Sequence, residues 1–310
     1  MLRQSAFLAD RPMLKGCLHC HTSRTDGRDT PEDVIAIYEE NGYDFLAITD
    51  HRLYNYRNFL PGSKLTIIPG MEMDRNIAPT RRIHCFHSVW LGREKPHNPY
   101  EQDETFERGE VADQFAFQPL LDEAHEKGQL TICCHPQWSG TFNREFDQLK
   151  GNFAIEVWNT GCVQDCECDI NNGWIWDDLL MQGQRIYGVA TDDAHHVPQY
   201  CKGWVRVNAD NHVDSILDAL NSGAFYSSTG PEIYDFWIDD DRQAHVKCSP
   251  CTTVQFHCAT TIMTAQRAPE GETVTEMTMS IPVPDYFPYL RVEVRDADGH
   301  VAWSNPIFLK

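Results

Sequence analysis

The chain has 310 residues, of which 41% are hydrophobic and 23% charged, a balance typical of a folded globular protein. Its formal net charge of −20 argues against non-specific binding of nucleic acid or of anionic membranes, because both partners are polyanions. The segment Met1–Pro12 lacks the apolar core of a secretory signal, and no apolar run is long enough for a membrane span. Several of the twelve cysteines lie in apolar runs, so we expect a reduced, cytoplasmic protein.

Short apolar strands alternate with helices along the first part of the chain. The first helix is predicted after Thr30, its N-cap, with Pro31 in the first turn and Asn41-Gly42 at its end. Pro119 is predicted to open a helix that ends at Lys127-Gly128, after a long loop over 93–118. The predicted strands are 44–51, 65–72, 83–91, 130–136, 153–159, 186–195 and 205–207. This alternation predicts an α/β fold with a parallel sheet covered by helices, and six or seven such units favour a barrel.

The pattern of apolar residues changes after Gly230-Pro231, because the helical periodicity ends there. Strand-like runs follow at 246–248, 253–259, 275–281, 290–295 and 303–309. Short strands separated by turn residues predict a small all-β sandwich. We therefore expect two domains, a barrel over 1–231 and a β-sandwich over 232–310.

Potential metal ligands lie at or near the ends of successive predicted strands. His19 and His21 are two residues apart, so in an extended segment they face the same side. The ends of parallel barrel strands converge on one face, where active sites are built. The candidate ligands in chain order are His19, His21, Asp50, His51, Glu72, His84, His87, His135, Asp193 and His195. Imidazoles and carboxylates suit Zn²⁺, Mn²⁺ or Fe²⁺, and this many ligands predicts two or three divalent ions.

Five ordered motifs resemble those of the PHP (polymerase and histidinol phosphatase) superfamily. They are His19-x-His21 with Thr25-Asp26-Gly27, Thr49-Asp50-His51, Pro69-Gly70-Met71-Glu72, Cys134-His135-Pro136 and Thr191-Asp192-Asp193-Ala194-His195. The similarity covers roughly residues 14–230 and is greatest to the stand-alone metal-dependent phosphoesterases of the superfamily. It implies a distorted seven-unit (βα) TIM-like barrel, the PHP fold, with a trinuclear metal site. Thr25 replaces the serine more usual before Asp-Gly.

The resemblance also implies how the ligands divide. The first ion would be held by His19, His21, Glu72 and Asp193, and the third by Asp26, His51 and His195. The second would be held by Glu72, His135 and one of two histidines, His84 or His87. Those two are three residues apart, so in a strand only one can face the site, and His87 is favoured.

The implied activity is hydrolysis of a phosphomonoester or small phosphodiester through a metal-bridging hydroxide. Glu72, Asp193 and His195 are the residues expected to carry catalysis, with a small phosphorylated molecule as substrate. Three residues outside the ligand set are predicted to contact the substrate: Arg24, Arg52 and Asn159. Two more, Asp50 and Asp192, are predicted to orient the ligands. Glu156 is a further candidate for either role.

Two alternatives remain open on the sequence. An amidohydrolase-like enzyme would hydrolyse a C–N or C–O bond, although no strand-end lysine is evident to bridge metals as a carbamate. A non-catalytic scaffold would bind metal while the β-domain binds a partner or a glycan.

Cys162, Cys166 and Cys168 are expected to be ordinary loop cysteines, because a structural zinc needs four ligands. Trp138 is a candidate for the wall of a substrate pocket. The sequence gives no indication of oligomeric state.

Overall fold

The computed structural model describes residues 4–7, 10–78, 84–141, 143–259, 261–282 and 287–309. The start of the strand predicted at Ile83 lies outside these residues. The helices of the described chain are α1 (Pro31–Glu40), α2 (Gln114–Glu126), α3 (Asn143–Phe146), α4 (Thr160–Cys166), α5 (Gly173–Met181) and α6 (Val213–Ser222), with a 3₁₀ turn at Val197–Gln199. None of the helices described is long and apolar enough to cross a membrane.

Twenty strands make up the described sheets. Before α4 they are β1 (Gln4–Ser5), β2 (Met13–Cys17), β3 (Phe45–Leu46), β4 (Thr66–Ile67), β5 (Gly70–Ile77), β6 (Cys85–Leu91), β7 (Gly109–Val111), β8 (Leu130–Cys133) and β9 (Ala154–Asn159). The next are β10 (Tyr187–Thr191), β11 (Trp204–Asn208), β12 (Phe225–Ser228), β13 (Ile233–Ile238), β14 (Gln243–Cys251) and β15 (Thr253–Cys258). The last are β16 (Thr261–Arg267), β17 (Val274–Ser280), β18 (Tyr289–Arg295), β19 (Val301–Ser304) and β20 (Ile307–Phe308).

The helix ends follow local capping chemistry. Thr30 accepts a hydrogen bond from the backbone N–H of Asp33 at the start of α1, as predicted. The prediction that Pro119 opens α2 is wrong, because the helix begins at Gln114. Asp113 caps it by accepting from the N–H of Ala116, and Pro119 lies inside the helix. A strong cap therefore sets the start of α2 upstream of the proline.

Two sheets carry the predicted strand–helix units. One has the order β10-β9-β8-β6-β5-β7, and in the other β4-β3-β2-β11-β12-β19 continues to β18, β15 and β16. The predicted parallel pairing holds for β2-β3-β4 and β8-β9-β10. It is wrong for β6, which runs antiparallel to both β5 and β8, and for β11, which runs antiparallel to both β2 and β12. The connection from Ile77 to Cys85 is too short for a crossover between parallel strands, which takes about a dozen residues or more.

These two sheets meet where the motif residues lie. An isolated bridge joins Cys20 to Ala194, and another joins His51 to Glu72. The N–H of Asp193 also donates to the carbonyl of His19 over 2.9 Å. The fold is mixed α/β and rich in sheet, and the ladders of the described residues do not form one closed barrel sheet. The bridges bring the ends of β2, β3 and β10 to a common edge.

The strands after residue 232 form two packed layers. The sheet β1-β13-β14-β17 faces β15, β18 and β19 across a core that includes Phe236, Val246, Phe256 and Val292. The layer is continuous with the first part of the chain, because β19 pairs with β12. The strand β1, at the other end of the chain, pairs with β13. The division at residues 231 and 232 stays a prediction.

Candidate metal centre

The carboxylate of Glu72 lies at the centre of five imidazoles. Glu72 is the third residue of β5, and its side chain is completely buried. Its Oε1 lies 2.8 Å from His87 Nδ1, 3.3 Å from His135 Nε2 and 3.5 Å from His19 Nε2. Its Oε2 lies 2.9 Å from His51 Nδ1 and 3.3 Å from His21 Nε2. Residues from β5, β6 and the segments after β2, β3 and β8 thus meet at one carboxylate.

Asp193 closes the same cluster from the segment after β10. Its Oδ1 lies 3.0 Å from His21 Nε2 and 3.2 Å from His19 Nε2. Its Oδ2 accepts a hydrogen bond from Asn159 Nδ2 over 3.1 Å. Asp193 adopts a left-handed backbone conformation with φ of 46°, which is uncommon for a residue other than glycine. The structure therefore brings together His19, His21, Glu72 and Asp193, the set predicted for the first ion.

The histidines His19 and His21 follow β2 rather than lying within it. Both rings nevertheless face the cluster, and their Nε2 atoms are 3.2 Å apart. The bridge at Cys20, the residue between them, fixes this segment in extended pairing with Ala194. The prediction that the pair shares one face is confirmed.

Asp26 gathers a second group of imidazoles at the rim. Its Oδ2 lies 3.3 Å from His51 Nε2, and its Oδ1 lies 3.5 Å from His21 Nδ1 and 3.6 Å from His195 Nε2. The carbonyl of Asp193 lies 2.9 Å from His195 Nδ1, and since a carbonyl only accepts, Nδ1 carries the proton. In the neutral, metal-binding form of His195 the lone pair is then on Nε2, which faces Asp26.

Several buried atoms of the cluster lack a hydrogen bond within the described part of the chain. They are Nδ1 of His21, Nδ1 of His51 and Oε2 of Glu72. The last two are only 2.9 Å apart, but they do not meet in hydrogen-bond geometry. Buried polar atoms are normally satisfied, so buried imidazole nitrogens and a carboxylate oxygen that lack a hydrogen bond suit a cation. The potential ligand atoms of His19, His21 and Glu72 all lie within 4.8 Å of one another, as do those of His51, Glu72 and His87. The donor set therefore fits divalent metal ions.

The charge states reflect this crowding. Burial raises the pKa of Glu72, but the surrounding imidazoles, above all His51 and His87, hold it well below its usual range. Burial opposes protonation of His51 too, yet Glu72 and Asp26 raise its pKa to about 10. His87 differs, because burial outweighs Glu72 and lowers its pKa to about 4. His87 is therefore neutral at physiological pH, the form in which imidazole binds a metal.

The structure separates the two histidines that the sequence left open. His87 faces Glu72, whereas Nε2 of His84 lies 3.1 Å from Oε2 of Glu145. His84 is therefore not part of the cluster.

A shell of buried groups holds the ligands in place. Asp50 accepts from the N–H and the hydroxyl of Thr22 and from the hydroxyl of Thr25, so it fixes the loop that carries His21 and Asp26. Asp192 accepts from the hydroxyls of Tyr38 and Thr160 and from the N–H groups of three successive residues, 201–203. Both positioning residues predicted from the sequence hold loops and do not point into the ligand cluster.

The three predicted substrate residues lie in different places. Arg24 pairs with Asp103 and does not line either of the clefts described below. Asn159 is fully buried and donates to Glu156 and Asp193, so it orients carboxylates and does not face solvent. Only Arg52 lines a cleft, where it pairs with Asp74.

Two adjoining clefts open over the cluster. The first has a volume of about 320 Å³. Its lining includes Glu72 and Asp193 of the cluster, together with Arg28, Trp138 and Cys166. The second, of about 890 Å³, shares Asp26, His51, His87 and Trp138 with the first. Trp138, the candidate wall residue, therefore borders both. Cys162 and Cys166, predicted to be in a loop, lie on the short helix α4 beside the first cleft.

Asp74 is a site residue that the sequence reasoning missed. Its Oδ1 lies 3.2 Å from His51 Nδ1, and it also pairs with Arg52. Asp74 follows Glu72 by two residues in β5, and alternate strand residues share a face. That spacing was the signal that could have identified it.

No family model and no curated protein matches the chain. Among solved structures, a two-domain protein from Bacteroides vulgatus containing a predicted PHP-like metal-dependent phosphoesterase matches with 15% identity and a TM-score of 0.47, covering 99% of this chain and 98% of that one. A protein of Bifidobacterium adolescentis, provisionally described as a metal-dependent phosphoesterase, matches with 12% identity and a TM-score of 0.44, covering 67% and 96%. An amidohydrolase from Chromobacterium violaceum with bound sulfate and no metal matches with 13% identity and a TM-score of 0.40, covering 58% and 87%.

At these identities and TM-scores the matches say nothing about individual residues or substrates. In its ordered motifs the chain resembles the PHP superfamily, and one of the solved structures that it matches is described as PHP-like.

Proposed function

We propose that this PHP-like protein is a metal-dependent phosphoesterase that hydrolyses a small phosphorylated substrate at a site of two or three divalent ions. The observation that carries the proposal is the buried carboxylate of Glu72, which lies within 3.5 Å of a nitrogen from each of five imidazoles. A buried carboxylate and five buried or half-buried imidazoles would be costly without a compensating cation. The motif resemblance supports a distorted seven-unit barrel around this site.

The ligands divide into three overlapping groups. His19, His21, Glu72 and Asp193 would hold one ion, and Glu72, His87 and His135 a second. Asp26, His51 and His195 would hold a third at the rim, where half of the Asp26 side chain is exposed. Manganese, iron and zinc all suit such an imidazole and carboxylate set.

When bound, divalent ions supply a water-derived nucleophile at neutral pH and offset the charge of a phosphoryl group. The residues of the chain create the conditions for this chemistry. Glu72 and Asp193 stay ionised, because the imidazoles hold the pKa of each well below its usual range. Arg28 lines the first cleft, and its backbone N–H donates to the carbonyl of His195, which holds its loop beside the cluster. Its guanidinium would pair with a phosphoryl oxygen of the substrate. A protein of net charge −20 can thus admit an anion at this one place.

The test is metal analysis of protein purified without chelator, followed by a panel of phosphomonoesters, small phosphodiesters and amides. We expect two or three equivalents of a transition metal and turnover of at least one phosphoester. Glu72→Gln should remove both the metal and the activity, while circular dichroism shows that the fold is kept. Full activity in metal-free protein would refute the proposal.

The panel also decides between the two alternatives. Turnover of an amide but of no phosphoester would favour an amidohydrolase-like enzyme, although no lysine lines either cleft in the described part of the chain. Bound metal without turnover of any substrate would favour a non-catalytic scaffold.

A further inference from the structure

The second cleft lies directly beside the metal cluster and has a chemistry of its own. Its lining includes two arginines, Arg52 and Arg108, together with Gln137 and Trp138. It opens onto His51 and His87, which are also ligand candidates of the first cleft. A molecule bound at the cluster can therefore extend into this cleft without leaving the protein surface.

The two arginines are held close together by the backbone. The N–H of Phe106 donates to the carbonyl of Arg52 over 2.9 Å, and Gly109, the residue after Arg108, pairs with Arg75 in β5. Burial lowers the pKa of Arg52, and the nearby charge of Arg108 lowers it further. Backbone hydrogen bonds to Arg52 and to β5 thus hold the segment 106–109 in place.

Two aspartates and two arginines line the cleft, but the carboxylate of Asp26 is already engaged by His51 and His195. Asp74 pairs with Arg52 and also lies 3.2 Å from His51 Nδ1, so its carboxylate is already shared between two cations or donors. Arg108 is exposed and has no carboxylate partner in the described ranges. In a protein with 46 acidic and 26 basic residues, an arginine left unpaired in a cleft is notable. It leaves a guanidinium fork free for a ligand.

Gln137 and Trp138, which also line the cleft, are held in place by hydrogen bonds and ring packing. The N–H groups of Gln137 and Trp138 both donate to the buried carboxylate of Asp169, over 3.0 and 2.8 Å. The Trp138 ring packs edge-on against His135 and His87, with centroids 4.9 and 5.5 Å apart. The cleft therefore combines a fixed aromatic residue with two arginines whose backbone segments are held in place.

We propose that the second cleft binds a second anionic group, a carboxylate or a phosphate, carried by the leaving group of the substrate. Arg108 is its main contact, and Arg52 contributes the N–H donors that Asp74 does not use. Guanidinium groups bind carboxylates and phosphates through paired, charge-assisted hydrogen bonds. The inference rests on the proposed function, because it takes the phosphoryl group at the cluster as the first anchor.

The test measures binding to the metal-loaded full chain by calorimetry, with phosphonates that cannot be hydrolysed. Propylphosphonate carries one anionic group, 3-phosphonopropionate adds a carboxylate, and propane-1,3-bisphosphonate adds a second phosphonate. We expect at least one of the last two to bind about tenfold or more tightly than propylphosphonate, as one or two charge-assisted hydrogen bonds allow. The tighter of the two identifies the second group as carboxylate or phosphate.

Arg108→Gln should reduce that ratio to about threefold or less, and Arg108→Lys should restore part of it. Arg267→Gln is the matched control, because it removes the same charge from an exposed position on β16. A ratio near one in the wild type, or a ratio that Arg108→Gln leaves intact, would overturn the inference. The two proposals can also fail separately. If Arg108→Gln loses the ratio but the wild type hydrolyses no phosphoester, the proposed function is refuted and the second cleft is still an anion-binding site.

Discussion

The Oε1 atom of Glu156 accepts a hydrogen bond from His19 Nδ1 over 2.7 Å in the fully buried layer behind the metal cluster. Glu156 also accepts from the hydroxyl of Thr191 over 2.6 Å and from the backbone N–H of His135 over 2.8 Å. Because a carboxylate oxygen accepts this bond, Nδ1 carries the proton in the neutral, metal-binding form of His19, and the lone pair of Nε2 faces the cluster. Glu156 thus sets the orientation of one ligand and the position of another.

Glu156→Gln should weaken metal binding without removing any ligand. The amide is the same size, but its NH₂ group cannot accept from His19, His135 or Thr191. We expect the affinity for the first ion to fall about 10- to 100-fold, which is typical for the loss of a hydrogen-bond partner of a metal ligand. Competition with a chromophoric chelator measures this affinity.

Glu145→Gln is the matched control, because Glu145 is also a buried glutamate paired with a histidine, His84, outside the cluster. Its affinity for metal should equal that of the wild type. Equal losses in both variants would mean that Glu156 acts through general stability and not through His19.

His87→Asn and His84→Asn should differ in metal content. His87 lies 2.8 Å from Glu72, whereas His84 pairs with Glu145. We expect His87→Asn to lose about one equivalent of metal per chain and His84→Asn to keep the wild-type content, both measured by plasma mass spectrometry. The reverse result would assign the ligand to His84 and contradict the geometry.

Local spacing predicted much of the candidate site. His19 and His21 share a face because alternate residues of an extended segment do, and the same rule would have found Asp74 from Glu72. The sequence favoured His87 over His84 as the ligand but could not decide between them. The decision depends on which of the two histidines faces Glu72 of β5, and this is set by the pairing of two strands. Arg108 carried no signal, since its place beside Arg52 comes from a backbone pairing between distant segments.

The fold was predictable in its elements more than in its connections. An apolar run indicates a strand but not its direction, so the prediction of a parallel sheet fails at the antiparallel strand β6. The continuity of β19 with β12 joins residues about 75 positions apart, and no local pattern encodes such pairing. The capping residue Thr30 was recognisable because its chemistry is local, whereas Asp113 was hidden within a polar stretch.

Arg291→Leu should strongly destabilise the protein. The Arg291 side chain is 1% exposed and joins β18 to α5 through two hydrogen bonds to Asp177, of 2.8 and 2.6 Å, and one of 2.7 Å to Glu293. Its removal leaves two buried carboxylates without their cation. Breaking one partner of such a network costs about 3–5 kcal/mol in the free energy of unfolding. Urea unfolding followed by tryptophan fluorescence measures the change, and a change below about 1 kcal/mol would contradict it.

The same network should make stability sensitive to acid. Burial raises the pKa of Glu293, but Arg291 more than offsets it, and the pKa is lowered from 4.5. A carboxyl whose pKa is depressed by folding stabilises the folded state above its unfolded pKa and loses that contribution as the pH falls below it. We expect the free energy of unfolding to drop between pH 5 and pH 3, and less steeply in Glu293→Gln. Equal slopes in the two proteins would exclude Glu293 as a source of the acid sensitivity.

Removal of metal should lower the melting temperature only while the cluster is intact. A metal that binds the folded state stabilises it by about 2.7 kcal/mol at a free concentration one hundred times its dissociation constant. We expect a chelator to lower the melting temperature of the wild type and of Glu145→Gln by several degrees. Glu72→Gln should show little change, because Glu72 contacts five of the imidazoles and no ion would be left to remove. A chelator effect of equal size in Glu72→Gln would place the stabilising metal elsewhere in the chain and contradict the proposed centre.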